Sequence, residues 1–154
     1  AGTTLVTVEG WELVGLSSRF AIAVHILCLL ALRAEEWVAS SFIAASIKTN
    51  PVVVRRILGS LKSAGLVLAE EGPAGGYRLA RKAQAISLDR VYRAVEPEPL
   101  FAPHPHRPER RCPVGAGIEQ ALSVVYTRAG SGLAATLSKE TVADVLSRAL
   151  AAAG

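Results

Sequence analysis

A mainly α fold with one small β-hairpin and a long helix near the C-terminus is what this 154-residue sequence predicts. Three observations lead there. Val54, Ile57, Leu58 and Leu61 recur at i, i+3, i+4 and i+7, the apolar stripe of an amphipathic helix, just after the start signal Thr49-Asn50-Pro51. Leu66-Val67-Leu68-Ala69 and Gly76-Tyr77-Arg78-Leu79 are two short extended runs around a glycine-rich connection. Beyond a segment dense in proline, Val114, Ile118, Leu122, Val125 and Ala129 line one face of a long helix.

Taken in order, residues 1–16 read as an N-terminal arm, and the alternation in LVTVEGWELV suits a short strand. Ser17 or Ser18 can cap a helix running to about Arg33, apolar on nearly every side. Ser40 and Ser41 offer a second cap, followed by the short helix SFIAASIK. At the next helix, Asn50 can accept a first-turn N–H, and Pro51 fits the first helical position, where a missing N–H is harmless. Gly65 ends that helix after Ala64. Past the hairpin, Ser87 caps a helix over Leu88 to Val95, and EPEPLFAPHPHRPERRCP reads as a linker or exposed loop. In the long helix after Pro113, Gly130 and Gly132 are weakening or bending points. Ser138 is the expected cap of a last helix that turns Val142, Val145, Leu146, Ala149 and Leu150 inward. Two helices, a tight turn and a hairpin behind the second helix make a winged helix-turn-helix.

Charge placement narrows the function. The net charge is +4, but residues 17–95 hold eleven Lys/Arg against five Asp/Glu, whereas residues 96–154 hold six of each. A basic surplus confined to one segment is the footprint of a polyanion-binding face. Cys28 and Cys112 stand 84 positions apart and form no disulfide framework, which suits a reducing cytoplasm. The longest apolar run, Phe20 to Leu32, has thirteen residues including His25, too short to cross a bilayer. The start lacks a basic stretch ahead of an apolar core, so no cleavable leader is expected. A cytoplasmic protein without a membrane partner is the expectation.

With the apolar stripe turned inward, the rest of the third helix is free to meet DNA. The N-terminal end of such a helix enters the major groove, where Arg can make two hydrogen bonds to a guanine edge. Pro51, Val53, Arg55 and Arg56 are the candidates on the helix, and Lys48, Thr49 and Asn50 sit in the turn where donors meet phosphates. On the hairpin, Gly72, Gly75 and Gly76 supply the wing turn, with Arg78 and Arg81 as phosphate contacts. The same glycines might suggest a nucleotide loop, but a P-loop needs Lys-Ser or Lys-Thr after its last glycine, leading into a helix. Gly76 is followed by Tyr77-Arg78-Leu79, a strand, so the glycines make a turn.

IAASIKTNPVVVRRILGSLKSAGLV, then GPAGGYRLAR and ISLDRVYRAVE, resemble the Rrf-two family of bacterial winged-helix transcriptional regulators, which includes the iron–sulfur cluster regulator and the nitric-oxide-sensing repressor. The resemblance spans about Ser17 to Leu150 and is most specific over GLV…GPxGGYxLA. It implies a homodimer joined through the long C-terminal helix and bound to a two-fold operator in double-stranded DNA. A dimer also suits the apolar faces here, which exceed what one small domain covers. The organisation is then an arm over 1–16, a winged helix-turn-helix domain over 17–95, a proline-rich loop over 96–112 and dimerisation helices over 113–154.

Departures from the family pattern matter as much. Cluster-binding members carry three cysteines in the loop before the long helix; this loop has only Cys112, matching the last of them. One thiolate cannot hold a [2Fe–2S] cluster, which takes four protein ligands. His104, His106 and Cys112 follow no common metal-ligand spacing, so neither a cofactor nor a metal is expected, and the chain is similar to the cluster-free, YwnA-like members. Cys112 lies between Arg110-Arg111 and a helix start, both of which favour a thiolate, so it is a candidate redox sensor or else a small residue at a helix start. Cys28, within an apolar helix, reads as packing. No catalytic constellation surrounds Cys112, which excludes a thiol enzyme.

Two readings remain. One is a DNA-binding regulator, a repressor acting as a dimer. The other is a winged-helix interaction module that has lost DNA binding, favoured by Glu70 and Glu71, where family wings commonly place a basic residue. An acidic pair there repels phosphates, whereas Arg78, Arg81 and Lys82 restore positive charge on the returning strand.

Overall fold

The computed structural model describes residues 17–154 and the backbone of residues 7–8 and 11–12. In the arm, β1 (Thr7–Val8) pairs antiparallel with β2 (Trp11–Glu12). The rest of the expected arm lies outside the described residues.

Helix α1 (Arg19–Leu32) buries Ala23, Ile26, Leu27, Cys28 and Leu30 and turns His25 outward. Its capping bond comes from Ser17, whose Oγ accepts the Arg19 N–H at 3.2 Å, while Ser18 already has a helical backbone and makes no side-chain cap bond. Helix α2 (Ser40–Ile47) starts one residue before the expected Ser cap, with Ala39 in the capping position and Ser40 and Ser41 inside the helix. The reason is tertiary: Val38 and Tyr77 exchange backbone hydrogen bonds of 2.9 and 2.8 Å, which hold the chain extended up to Ala39.

Helix α3 (Pro51–Ser63) begins as its sequence dictates. Asn50 Oδ1 accepts the Val52 N–H at 2.8 Å, and Val54, Ile57, Leu58 and Leu61 are all buried. It ends in a paired closure in which the Leu66 N–H donates to Leu61 O at 3.0 Å and the Gly65 N–H donates to Lys62 O at 2.9 Å. Gly65 supplies the left-handed backbone that this closure needs, with φ 71°.

Strands β3 (Val67–Glu70) and β4 (Gly76–Leu79) pair with Val67 opposite Leu79, Leu68 opposite Arg78, Ala69 opposite Tyr77 and Glu70 opposite Gly76. The Val38–Tyr77 bridge adds a short third edge to the hairpin. Gly76, at φ 146°, is required there, because a Cβ would collide with the Val38 carbonyl. After one 3-10 turn, Ser87 Oγ accepts the Arg90 N–H and starts α4 (Leu88–Val95), which buries Leu88, Val91 and Val95.

Helix α5 (Pro113–Ser138) runs unbroken through Gly130 and Gly132. Not one of its residues is buried, and its expected inward stripe includes Val125 at 56% exposure. Helix α6 (Val142–Ala153) is capped by Thr141, not Ser138, which is still the last residue of α5. Thr141 Oγ1 accepts the Asp144 N–H, and the Asp144 carboxylate accepts the Thr141 N–H, a reciprocal box that outcompetes a single serine. Backbone bonds from Leu88 to Glu140 and from Val142 to Ile86 tie the α5–α6 turn to the start of α4. Val142 is buried and Val145 and Leu146 are half-buried, but Ala149 and Leu150, expected inward, are exposed. The core therefore lies among α1 to α4, the base of the hairpin and the first residue of α6.

Candidate nucleic-acid interface

Between α2 and α3 the chain turns in three residues, and Lys48 takes a left-handed backbone with φ 54°. That conformation costs a residue with a Cβ roughly 1–2 kcal/mol, held here by the helices on either side. The turn leaves Lys48 and Asn50 exposed and Thr49 half-buried. Because Asn50 Oδ1 is occupied by the cap, its amide N–H groups remain for an acceptor outside the chain.

On α3, Pro51, Arg55, Arg56 and Lys62 are exposed. Val53 packs half-buried against the core, and Val52 beside it is the outward valine, 57% exposed. Arg56 sits over a shallow cleft towards α4 with Ser60, Ser63 and Arg93. At the wing, Gly72 has φ 97°, and a side chain at Gly75 would strike the Glu70 carbonyl, so both are needed for the turn. Arg78 and Arg81 diverge. Arg78 lies on β4 with its guanidinium carbon 4.3 Å from the centre of the Trp37 ring. Arg81 lies past the strand in a cleft between the end of α1 and α6, with Glu35, Leu146 and Ser147.

The ion pairs leave the cations of this surface without partners. Among the described residues there are four: Arg19–Glu96, Arg33–Glu36, Arg93–Asp89 and Arg148–Glu140. None involves Lys48, Arg55, Arg56, Lys62, Arg78, Arg81 or Lys82. The turn, the third helix and the returning strand thus carry five of these cations, and the segment just past the strand two more, with no ion-pair partner among the described residues, the state in which cations can neutralise phosphates. Glu70 and Glu71 are exposed and likewise unpaired among the described residues.

In the proline-rich segment, Phe101 stacks on Tyr126 of α5 at 4.8 Å, and His104 Nδ1 engages the backbone of His106. Cys112 is exposed and caps α5, its Sγ accepting the Gly115 N–H at 3.5 Å. In the loop before α5 Cys112 is the single cysteine, one thiolate where a [2Fe–2S] cluster takes four protein ligands, so this loop by itself does not supply the ligand set. Cys28 is buried with its thiol against Val142 O, and burial pushes its pKa up, keeping it protonated and inert. Among the described residues no helix is long and apolar enough to cross a membrane.

The family model of Rrf2, described as an iron-dependent transcriptional regulator, matches residues 16–148. The chain belongs to the Rrf2 family. It is 39% identical over 132 residues to YwnA of Bacillus subtilis (strain 168), whose name places it among HTH-type transcriptional regulators; the match covers 85% of this chain and 96% of that one. A crystal structure described as a DNA-binding protein is similar at 35% identity and TM-score 0.70, covering 84% of this chain and 99% of its own. The IscR structure from T. potens has TM-score 0.65 at 23% identity, covers 88% of each chain, and shows the shared fold. An Rrf2 chain with this winged helix is a DNA-binding transcriptional regulator, and its relatives are regulators, not enzymes.

The sequence expectations did not include Trp37 or the third edge beside it. A signal was present: Trp37-Val38, two residues of high strand propensity, follow Glu35-Glu36 directly.

Proposed function

We propose that this Rrf2 protein is a repressor that binds a two-fold operator as a homodimer, with α3 in the major groove and the wing on the phosphates. The observation that carries the reading is the cluster of cations without internal partners on the turn, α3 and β4. Arg55 and Arg56 read bases near the helix start; Lys48, Thr49, Asn50 and Arg78 bind phosphates. Arg81, in its separate cleft, is assigned a weaker, long-range role. The dimer is supported by α5, whose apolar stripe its own chain covers only in part: Ile118, Leu122 and Ala129 are half-buried, while Val114 and Val125 are exposed.

A selection of genomic fragments by purified protein tests the reading. The expected outcome is a two-fold motif whose affinity falls linearly in log–log terms with salt. Arg56→Ala should cost about 1–3 kcal/mol on that motif. Failure to enrich any fragment at low salt would overturn the reading in favour of an interaction module, which the exposed Glu70 and Glu71 would then serve.

This member works without a cluster, and its remaining loop thiol is the sensing group. Exposure and the flanking Arg110 and Arg111 support that role for Cys112. Hydrogen peroxide would be attacked by the Cys112 sulfur in its thiolate form; the O–O bond breaks, an S–O bond forms and hydroxide leaves, so the sulfur is oxidised by two electrons to a sulfenic acid whose new oxygen sits at the first turn of α5. Operator binding by wild type and Cys112→Ser, with and without peroxide, decides it. A loss confined to wild type is expected; identical responses remove Cys112 as the sensor.

A further inference from the structure

The wing places an acid and a base on one face. Leu68 pairs with Arg78 and Glu70 with Gly76, so Leu68, Glu70 and Arg78 project to the same side of the hairpin. Arg78 lies one diagonal step from Glu70, within reach of so long a side chain. The two are nonetheless unpaired among the described residues, and the Arg78 guanidinium lies over Trp37 instead.

The backbone explains why. Val38 and Tyr77 donate N–H groups to each other's carbonyls, which makes them a hydrogen-bonded antiparallel pair. The next positions, Trp37 and Arg78, then fall where the strands are closest and cross-strand side chains touch. Gly76 lets Val38 come that near, because any side chain there would strike its carbonyl. An indole face holds a guanidinium flat by cation–π attraction and leaves the N–H groups at its edge free.

We propose that Trp37 is a positioning residue for DNA binding: it draws Arg78 to the outer edge of the wing, away from Glu70, and presents its N–H edge to a phosphate. This rests on the DNA-binding reading above and explains how a wing carrying Glu70 still offers a free cation. Without Trp37, Arg78 falls back on Glu70, and the contact is lost although both charges remain.

The test measures binding to a fluorescently labelled mixed-sequence DNA duplex over a range of salt, because a phosphate contact is sequence-independent. Arg78→Ala should lower the magnitude of the log–log salt slope by about 0.9, the value of one phosphate contact. Trp37→Ala should produce the same shift with Arg78 still present, and Trp37→Phe, which keeps an aromatic face, should recover most of it. The decisive variant is Trp37→Ala with Glu70→Gln, which should regain the slope, since the competing carboxylate is gone. A merely structural role for Trp37 would lower the unfolding temperature without rescue by Glu70→Gln. Trp37→Ala at the wild-type slope, or no recovery in the double variant, overturns the proposal. An unchanged slope in Arg78→Ala, alongside a lowered slope in Lys48→Ala, overturns it while leaving DNA binding standing. A wild-type protein that binds no duplex overturns the DNA-binding reading itself.

Discussion

Helices α3 and α5 carry similar apolar stripes and meet different ends. The four stripe residues of α3 are buried among α1, α2 and α4. The five of α5 run along a helix of 26 residues on which nothing is buried, and only its last turns, through Leu137, join the core. A helix whose apolar face is covered by its own chain contributes to the stability of that chain. One whose face is covered only in part, as at the exposed Val114 and Val125, has apolar surface left over for association. The difference lies in what surrounds each helix, not in the stripes.

The sharpest way to break the comparison is to cut one residue from each stripe. Leu58→Ala should destabilise the fold by about 2–5 kcal/mol, because it opens a cavity in a site with no exposure. Denaturant unfolding measures it, and a loss below about 1 kcal/mol would contradict the packing. On the proposed homodimer, Val125→Glu should leave the winged domain folded but raise the dissociation constant of two copies roughly tenfold or more, about 1.4 kcal/mol. Sedimentation at falling concentration reads it out; an unchanged oligomeric state would detach α5 from association.

Smaller effects sharpen the picture around α3. Asn50→Ala removes the cap at its start and should cost about 1 kcal/mol of stability, seen in the unfolding midpoint. Lys48→Gly should separate conformation from charge: relief of the left-handed backbone stabilises the protein by up to about 1 kcal/mol, while loss of the cation lowers DNA affinity. A drop in both quantities would mean that the lysine side chain supports the turn itself.

The smallest effect concerns α6. The Thr141 hydroxyl, then its backbone N–H, and finally Arg148, hold the Asp144 carboxyl below its ordinary value of 3.8. A folded pKa below the unfolded one contributes stability that is present above the ordinary carboxylate range and lost as pH falls through the depressed folded value. Asp144→Asn should flatten the acid limb of the unfolding midpoint against pH, and a limb identical to wild type would show that the box makes no net contribution.

Legibility in the sequence followed the range of the interaction involved. Local chemistry was readable: Asn50 and Pro51 start α3, Gly65 ends it, Ser87 starts α4, and the glycines between Glu70 and Tyr77 turn the wing. These effects act within a few residues, and the side chain itself supplies the bond or the backbone freedom. The family likewise stood in the motif around the wing. What the sequence could not determine involved a competitor from elsewhere in the chain. Ser40 lost its capping place because Tyr77 pins Val38, and Ser138 lost its own because Thr141 and Asp144 close a better box three residues later. Tertiary structure alone decided that Arg78 rests on Trp37 while Arg81 turns towards α6. It also decided that Ala149 and Leu150 stay uncovered. An apolar period says that a face wants cover, and a cation says that it wants a partner; only the assembled chain determines which of them is satisfied from within.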